Sequence, residues 1–251
     1  MTQSHADQKP ASRPAAAQSA AGAAAVQRQF VSFTFYKLDP EFRRLGATEK
    51  QAARDEFVGA MNHPQAGLMC LPYSTVALRP DTDFMLWRIG ATADDFQAHS
   101  QRINKTRLAG YFSTPHSFLA MTKRSMYIDK VDPHHTESRT HIIPGKRKFL
   151  FVYPFVKTRD WYLMPLEKRQ EIMDGHIVVG NEFPSVKLNT TYSFGLDDQE
   201  FVVAFETEEP ADFLDLVMKL RETQSSKYTL RDTPIFTCVQ MSIEKVLEQL
   251  F

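Results

Sequence analysis

The chain has 251 residues, 43% apolar and 24% charged, with 30 basic side chains balancing 30 acidic ones. That is enough for one large domain or two small ones around a substantial core, and a pI near 7.1 gives no electrostatic case for nucleic acid or an anionic membrane. Cys70 and Cys238 lie far apart, which excludes a disulfide scaffold and a cysteine metal site and fits a reducing, cytoplasmic compartment; no apolar run approaches the ~20 residues of a membrane span.

Residues 1–28 are rich in Ala, Ser, Gln and Pro and lack the Leu/Val-type centre of a signal peptide, so they read as a disordered tail. Order begins at "FVSFTFYKL", where aromatic and β-branched residues alternate with polar ones as in a strand. "TEKQAARDEFVGAMN" reads as a helix with Thr48 and Gln51 as its capping box. "LMCLPYSTVAL" and "DFMLWRIGA" are strands joined by the turn "RPDT". "TADDFQAHSQRINKTRLAGYF" is a helix with Thr92 as N-cap, and "SFLAMTKRSMYI" is a strand. The order is β-α-β-β-α-β.

A polar linker, residues 131–147, separates this unit (29–130) from a second one (148–251) of the same order. There "RKFLFVYPFVK" is a strand, 165–180 a helix, "NTTYSFG" and "EFVVAFETE" strands, "PADFLDLVMKLRE" a helix and "DTPIFTCVQM" a strand. Two such units predict an α+β fold of tandem ferredoxin-like repeats, with sheets packed together and helices outside.

Helix 165–180 holds an anomaly. Pro165 suits its first position and Gly180 the position just past its end. Ile172, Met173, His176 and Ile177 share the i, i+3, i+4 spacing of a buried face, so a histidine sits where an apolar residue belongs. It is either a satisfied core histidine or a single axial haem ligand, which needs only one histidine and an apolar pocket. His5, His63, His99, His116, His134, His135 and His141 fall in the tail, loops, polar faces or element ends. No histidine pair has zinc-helix spacing, and CxxCH, GxGxxG, P-loop and Gly-x-Ser-x-Gly patterns are absent.

A second anomaly lies in "VYPFVKTRDWYLMP". Period two puts Tyr153, Phe155 and Lys157 on one face of an otherwise apolar strand. The tyrosine either caps a sheet edge or is a redox-active phenol, and the lysine either snorkels or meets an anionic ligand.

Tyr-Pro-Phe-Val-Lys, then Trp161-Tyr162-Leu163-Met164-Pro165, then Met173-x-x-His176-x-x-x-Gly180, then "SFGLDDQEFVVAFE" resemble the chlorite dismutase superfamily, and within it the coproheme decarboxylase branch. The resemblance covers roughly residues 30–240 and agrees with the tandem ferredoxin-like order. It implies that His176 is the proximal iron ligand, Tyr153 the catalytic tyrosine and Lys157 a lysine beside the reacting propionate. It places Arg139, Arg221 and Ser226 on propionates, although Arg139 also reads as a solvated linker charge and the other two as ordinary helix-end residues. Chlorite dismutases carry a distal arginine after the proximal histidine; the equivalent position here is Leu188, with Asn189 adjacent. Leucine cannot hydrogen-bond hypochlorite or peroxide, which disfavours chlorite decomposition.

The reaction implied is oxidative decarboxylation of iron coproporphyrin III to haem b by hydrogen peroxide, with propionates 2 and 4 becoming vinyls and Tyr153 relaying a hydrogen atom. His134 or His135 is the implied peroxide base, Phe151, Phe155, Trp161 and Phe194 the apolar neighbours, and a homopentamer the assembly. A chlorite dismutase-like haem peroxidase, a non-catalytic haem-binding protein and a cofactor-free protein with a core histidine are the rivals.

Overall fold

The computed structural model describes residues 27–63, 65–127 and 141–251. The tail expected at 1–28 lies almost wholly outside these residues, as do Arg139, His134 and His135 of the linker.

The first repeat runs β1 (Phe30–Leu38), α1 (Pro40–Arg43), α2 (Ala47–Asn62), β2 (Leu68–Ser74), β3 (Phe84–Gly90), α3 (Ala93–Asn104) and β4 (Phe112–Met121). The second runs β5 (Phe149–Lys157), α4 (Arg159–Leu163), α5 (Leu166–Asn181), β6 (Lys187–Tyr192), β7 (Phe201–Thr207), α6 (Pro210–Glu222), a 3₁₀ turn (Gln224–Tyr228), β8 (Thr229–Arg231), β9 (Phe236–Gln240) and α7 (Ile243–Glu248). The short α1, α4, β8 and α7 are additions to the expected order.

Each repeat is an antiparallel four-stranded sheet, β4-β1-β3-β2 and β6-β7-β5-β9. The two do not merely pack. Met121 on β4 pairs Tyr192 on β6, and Tyr73 and Ser74 on β2 pair Gln240 and Val239 on β9. The edges therefore join, and eight strands close into a barrel that leaves no long edge unpaired. Alternation sends one residue set inward: Val31, Phe33 and Phe35 of β1, Met85, Trp87 and Ile89 of β3, Leu150 and Val152 of β5, and Val202 and Ala204 of β7 meet in one core.

Capping follows local chemistry. Thr92 caps α3 as expected: its hydroxyl accepts from the Asp95 amide at 3.2 Å, and Asp95 accepts from the Thr92 amide at 3.0 Å. The α2 expectation is corrected. The helix starts at Ala47 after Gly46, whose amide donates to the Glu49 carboxylate at 3.3 Å, so Thr48 lies inside the first turn. On α5, Pro165 is the N-cap rather than the first helical residue, and Gly180 stays inside the last turn with Glu182 as C-cap. His99, expected off the apolar face, is 2% exposed.

Candidate functional site

The barrel has an outer face on each repeat, covered by helices. In the second repeat Thr190 of β6, Val203 of β7 and Tyr153 of β5 lie in one register row, and Leu188, Phe205 and Phe151 in the next. Residues paired directly across strands share a face. Phe151, Phe205, Phe213 and Leu216 form a small core where α6 packs on the sheet. Phe151 stacks on Phe213 at 4.0 Å, so it serves that core. Beyond it the face stays open: Leu188 is 43% exposed, and Tyr153, Phe155, Thr190, Phe201 and Val203 are half-buried. Lys187, one residue along, points to the other side and donates to the Ile143 carbonyl.

Tyr153 stacks on Phe205 with ring centroids 6.0 Å apart. Burial raises its phenol pKa and the Asp232 charge adds to this, while Arg221 opposes it, so Tyr153 is a neutral phenol at physiological pH. The structure thus brings Arg221 near Tyr153, with its half-exposed guanidinium ion-paired to Asp232. Ser226 has a different occupation. Its hydroxyl bonds the Arg221 and Thr223 carbonyls, both at 2.8 Å, and so caps the end of α6.

On α5 only Gln170 and Ile172 are buried; Met173, His176 and Ile177 are half-buried, so the expected apolar face is only partly covered. His176 Nδ1 lies 2.9 Å from the Ser225 hydroxyl. Its Nε2 makes no hydrogen bond among the described residues. Burial, then the Lys157 charge, lowers its pKa to about 4, which keeps the imidazole neutral. The sequence pattern missed Ser225, one residue before the expected Ser226. A serine in the turn after a helix reads as a cap, and only the fold carries it to α5.

Lys157 is 8% exposed. Its ammonium donates to the Ser225 carbonyl at 3.1 Å and lies 4.4 Å from the centre of the Trp161 ring. Burial lowers its pKa to about 8, with Glu200 pulling the other way. The structure therefore brings Lys157 and His176 together around Ser225. The Ser225 bond uses one of the three N–H groups of the ammonium. Glu200, also unforeseen, ties this corner: its carboxylate accepts from the Lys157 amide at 2.8 Å and the Tyr162 hydroxyl at 2.5 Å. Phe194 stands half-exposed, edge-on to Tyr162 at 5.8 Å.

A neutral imidazole with a bare nitrogen, beside an open and mostly apolar sheet face, fits a flat metalloporphyrin taking one axial nitrogen ligand. Among the described residues no cluster of three or more His, Cys, Asp or Glu competes for a metal ion.

Comparison with known proteins agrees. The family model described as chlorite dismutase matches residues 50–241. The chain is 30% identical over 184 residues to the coproheme decarboxylase of Mycolicibacterium smegmatis, covering 71% of this chain and 75% of that protein. It is 27% identical over 206 residues to the chlorite dismutase of Ideonella dechloratans, covering 80% and 72%. Among solved structures, a chlorite dismutase from Candidatus Nitrospira defluvii in complex with imidazole shares the fold with a TM-score of 0.80 over 88% of this chain and 94% of that one, at 22% identity. A heme-binding protein from Thermus thermophilus does so with a TM-score of 0.79 over the same shares, at 20% identity.

Proposed function

Since this chain belongs to the chlorite dismutase family, we propose that it is a coproheme decarboxylase, converting iron coproporphyrin III to haem b with hydrogen peroxide. One observation carries the choice within the family: the open face of β5, β6 and β7 presents a phenol at Tyr153 and an aliphatic side chain, not a cation, at Leu188.

In this reading His176 Nε2 would hold the porphyrin iron, and that face together with α5 would enclose the macrocycle. The bound porphyrin iron supplies the oxidising equivalents of peroxide. Each propionate gives up its carboxyl group as carbon dioxide and one hydrogen from its β-carbon, leaving a vinyl, while peroxide is reduced to two waters. Tyr153 is the hydrogen-atom relay: its phenol gives up the O–H hydrogen and regains one from the β-carbon. Burial keeps that oxygen protonated between turnovers, so the hydrogen is present when needed. Arg221 meets a propionate by exchanging its Asp232 partner for the new carboxylate. Arg139 is assigned the same task, and His134 or His135 that of peroxide base. Lys157 is assigned to the reacting propionate, as the resemblance implies, while its bond to the Ser225 carbonyl also braces the turn that faces His176. Ser226 keeps its capping role, and assembly into rings of five in the cytoplasm is carried over from the resemblance and the cysteine usage.

The test is peroxide titration of protein loaded with iron coproporphyrin III, followed by mass spectrometry of the porphyrin. Two successive losses of carbon dioxide plus two hydrogens, slowed at least ~100-fold in Tyr153→Phe (about 2.7 kcal/mol of barrier), are expected. An unchanged or merely bleached porphyrin would overturn the assignment. Oxygen release from chlorite would move it to the other branch.

A further inference from the structure

The partners of Ser225 determine the state of His176. The contact between Nδ1 and the Ser225 hydroxyl can run either way by itself. The next hydroxyl settles it. Thr223 Oγ1 carries one proton and donates it to the Leu220 carbonyl at 2.7 Å. In its 3.1 Å contact with Ser225, Thr223 Oγ1 is therefore the acceptor. Ser225 spends its only proton there and faces His176 as an acceptor. The histidine must then donate from Nδ1. A neutral imidazole has one N–H, so Nε2 is left as a lone pair. Ser225 is 3% exposed, and Lys157 Nζ holds its carbonyl at 3.1 Å, so the hydroxyl that faces His176 is held in place and shielded from water.

We infer that Ser225 is a positioning residue that sets His176 in its Nδ1–H, iron-ready tautomer before any porphyrin arrives, and that Thr223 dictates the direction of the hydrogen bond. This rests on the assignment of His176 as the axial ligand. A serine acceptor also differs in kind from a carboxylate: it orients the ring without drawing the Nδ1 proton away, so it leaves the imidazole a neutral rather than an imidazolate-like donor.

The experiment is ¹⁵N NMR of the histidine-labelled full-length chain without porphyrin near neutral pH, with the His176 signals identified by their loss in His176→Gln. A protonated Nδ1 and an unprotonated Nε2 are expected. Thr223→Val, which frees the Ser225 proton to point at the ring, is expected to move the tautomer ratio from at least ~10:1 towards unity, the loss of about one net hydrogen bond. Ser225→Ala should do the same, and Ser225→Thr should keep the wild-type pattern. A protonated Nε2 in the wild type, or a ratio indifferent to both Thr223→Val and Ser225→Ala, would overturn the inference. In the haem-loaded protein, Ser225→Asp should shift the iron reduction potential to more negative values, and an unmoved potential would also count against it. The NMR is read without porphyrin. Nδ1–H in the wild type with propionates left intact by peroxide would uphold this inference while sinking the decarboxylase assignment.

Discussion

The two repeats share one topology and treat their outer faces in opposite ways. In the first, the face is closed: Phe84 and Leu86 of β3 are fully buried under α2, which contributes Ala53, Phe57 and Met61 to the same core. Its polar positions are sealed as well. Arg88 is 6% exposed and donates to Ser32, Ser100 and Thr34 at 3.1, 2.8 and 2.8 Å. In the second, α5 lends no residue to the core that α6 builds on the sheet. The positions that match Thr34 and Leu86 in the ladder, Tyr153 and Val203, stay half-buried. Both faces carry phenylalanines, but in the second repeat Phe155 and Phe201 are left half-buried where Phe84 and Leu86 of the first are fully covered. The two histidines show the same contrast. Both are held neutral with pKa lowered to about 4 by burial. Among the described residues, His99 is shut in with both ring nitrogens unpartnered, whereas His176 has one nitrogen held by Ser225 and the other without a hydrogen bond.

This contrast can be broken from either side. The largest effect on stability is expected in the closed repeat. Phe57→Ala, at a 1% exposed position, should cost about 3–5 kcal/mol in urea unfolding. Ile177→Ala, on the half-covered face of α5, should cost about 1 kcal/mol or less. Equal costs would mean that α5 is as tightly seated as α2.

Next comes Lys157. Its pKa is about 8 in the fold against 10.5 for the free side chain, so the unfolded chain holds the extra proton between those values. Stability should therefore rise as pH climbs from about 8 to 10.5, by on the order of 2–3 kcal/mol. Lys157→Met should flatten that rise, and an unchanged profile would show that the lysine is solvated. His176 works at the acid end. Its folded pKa near 4 lies below the ordinary 6.5, so the unfolded chain takes up the proton first. Its contribution should be lost as pH falls from about 6.5 to 4, a window it shares with His99, so His176→Leu should reduce that slope by its own share while abolishing the axial-ligand absorption band of added haem. Retention of the band would assign the iron to another residue.

The smallest effect is expected on the open face. Leu188→Arg, at 43% exposure, should change stability by no more than about 0.5 kcal/mol. A large loss there would mean that the face is buried against something in the free protein.

Much of this was legible in the chain itself. Local periodicity located the principal strands and helices, because side-chain alternation is a property of a few consecutive residues. The repeated β-α-β-β-α-β order followed from that. Their ends did not: α3 stops at Asn104 and β4 runs Phe112–Met121, where the pattern put a helix through Phe112 and a strand over 117–128. His176, Tyr153 and Lys157 stood out for one reason: each is polar in a pattern that otherwise repeats apolar. Leu188 drew notice through the resemblance alone, since an aliphatic residue on a strand carries no signal by itself.

What the fold alone decided are relations between distant segments. Barrel closure depends on two edge pairings, one of a single residue pair and one of two, which no local pattern encodes. The exact helix starts turned on which side chain reached a free amide, Glu49 rather than Thr48. Lys157 read in the sequence as either a snorkelling cation or a partner for an anionic ligand, and three-dimensional packing sets it against Ser225 and Trp161. Ser225 was invisible until the turn after α6 met α5. The sequence by itself determined which residues are chemically out of place. Tertiary structure decided what they touch, because hydrogen bonds and burial are set by neighbours in space, and those neighbours lie dozens of residues away along the chain.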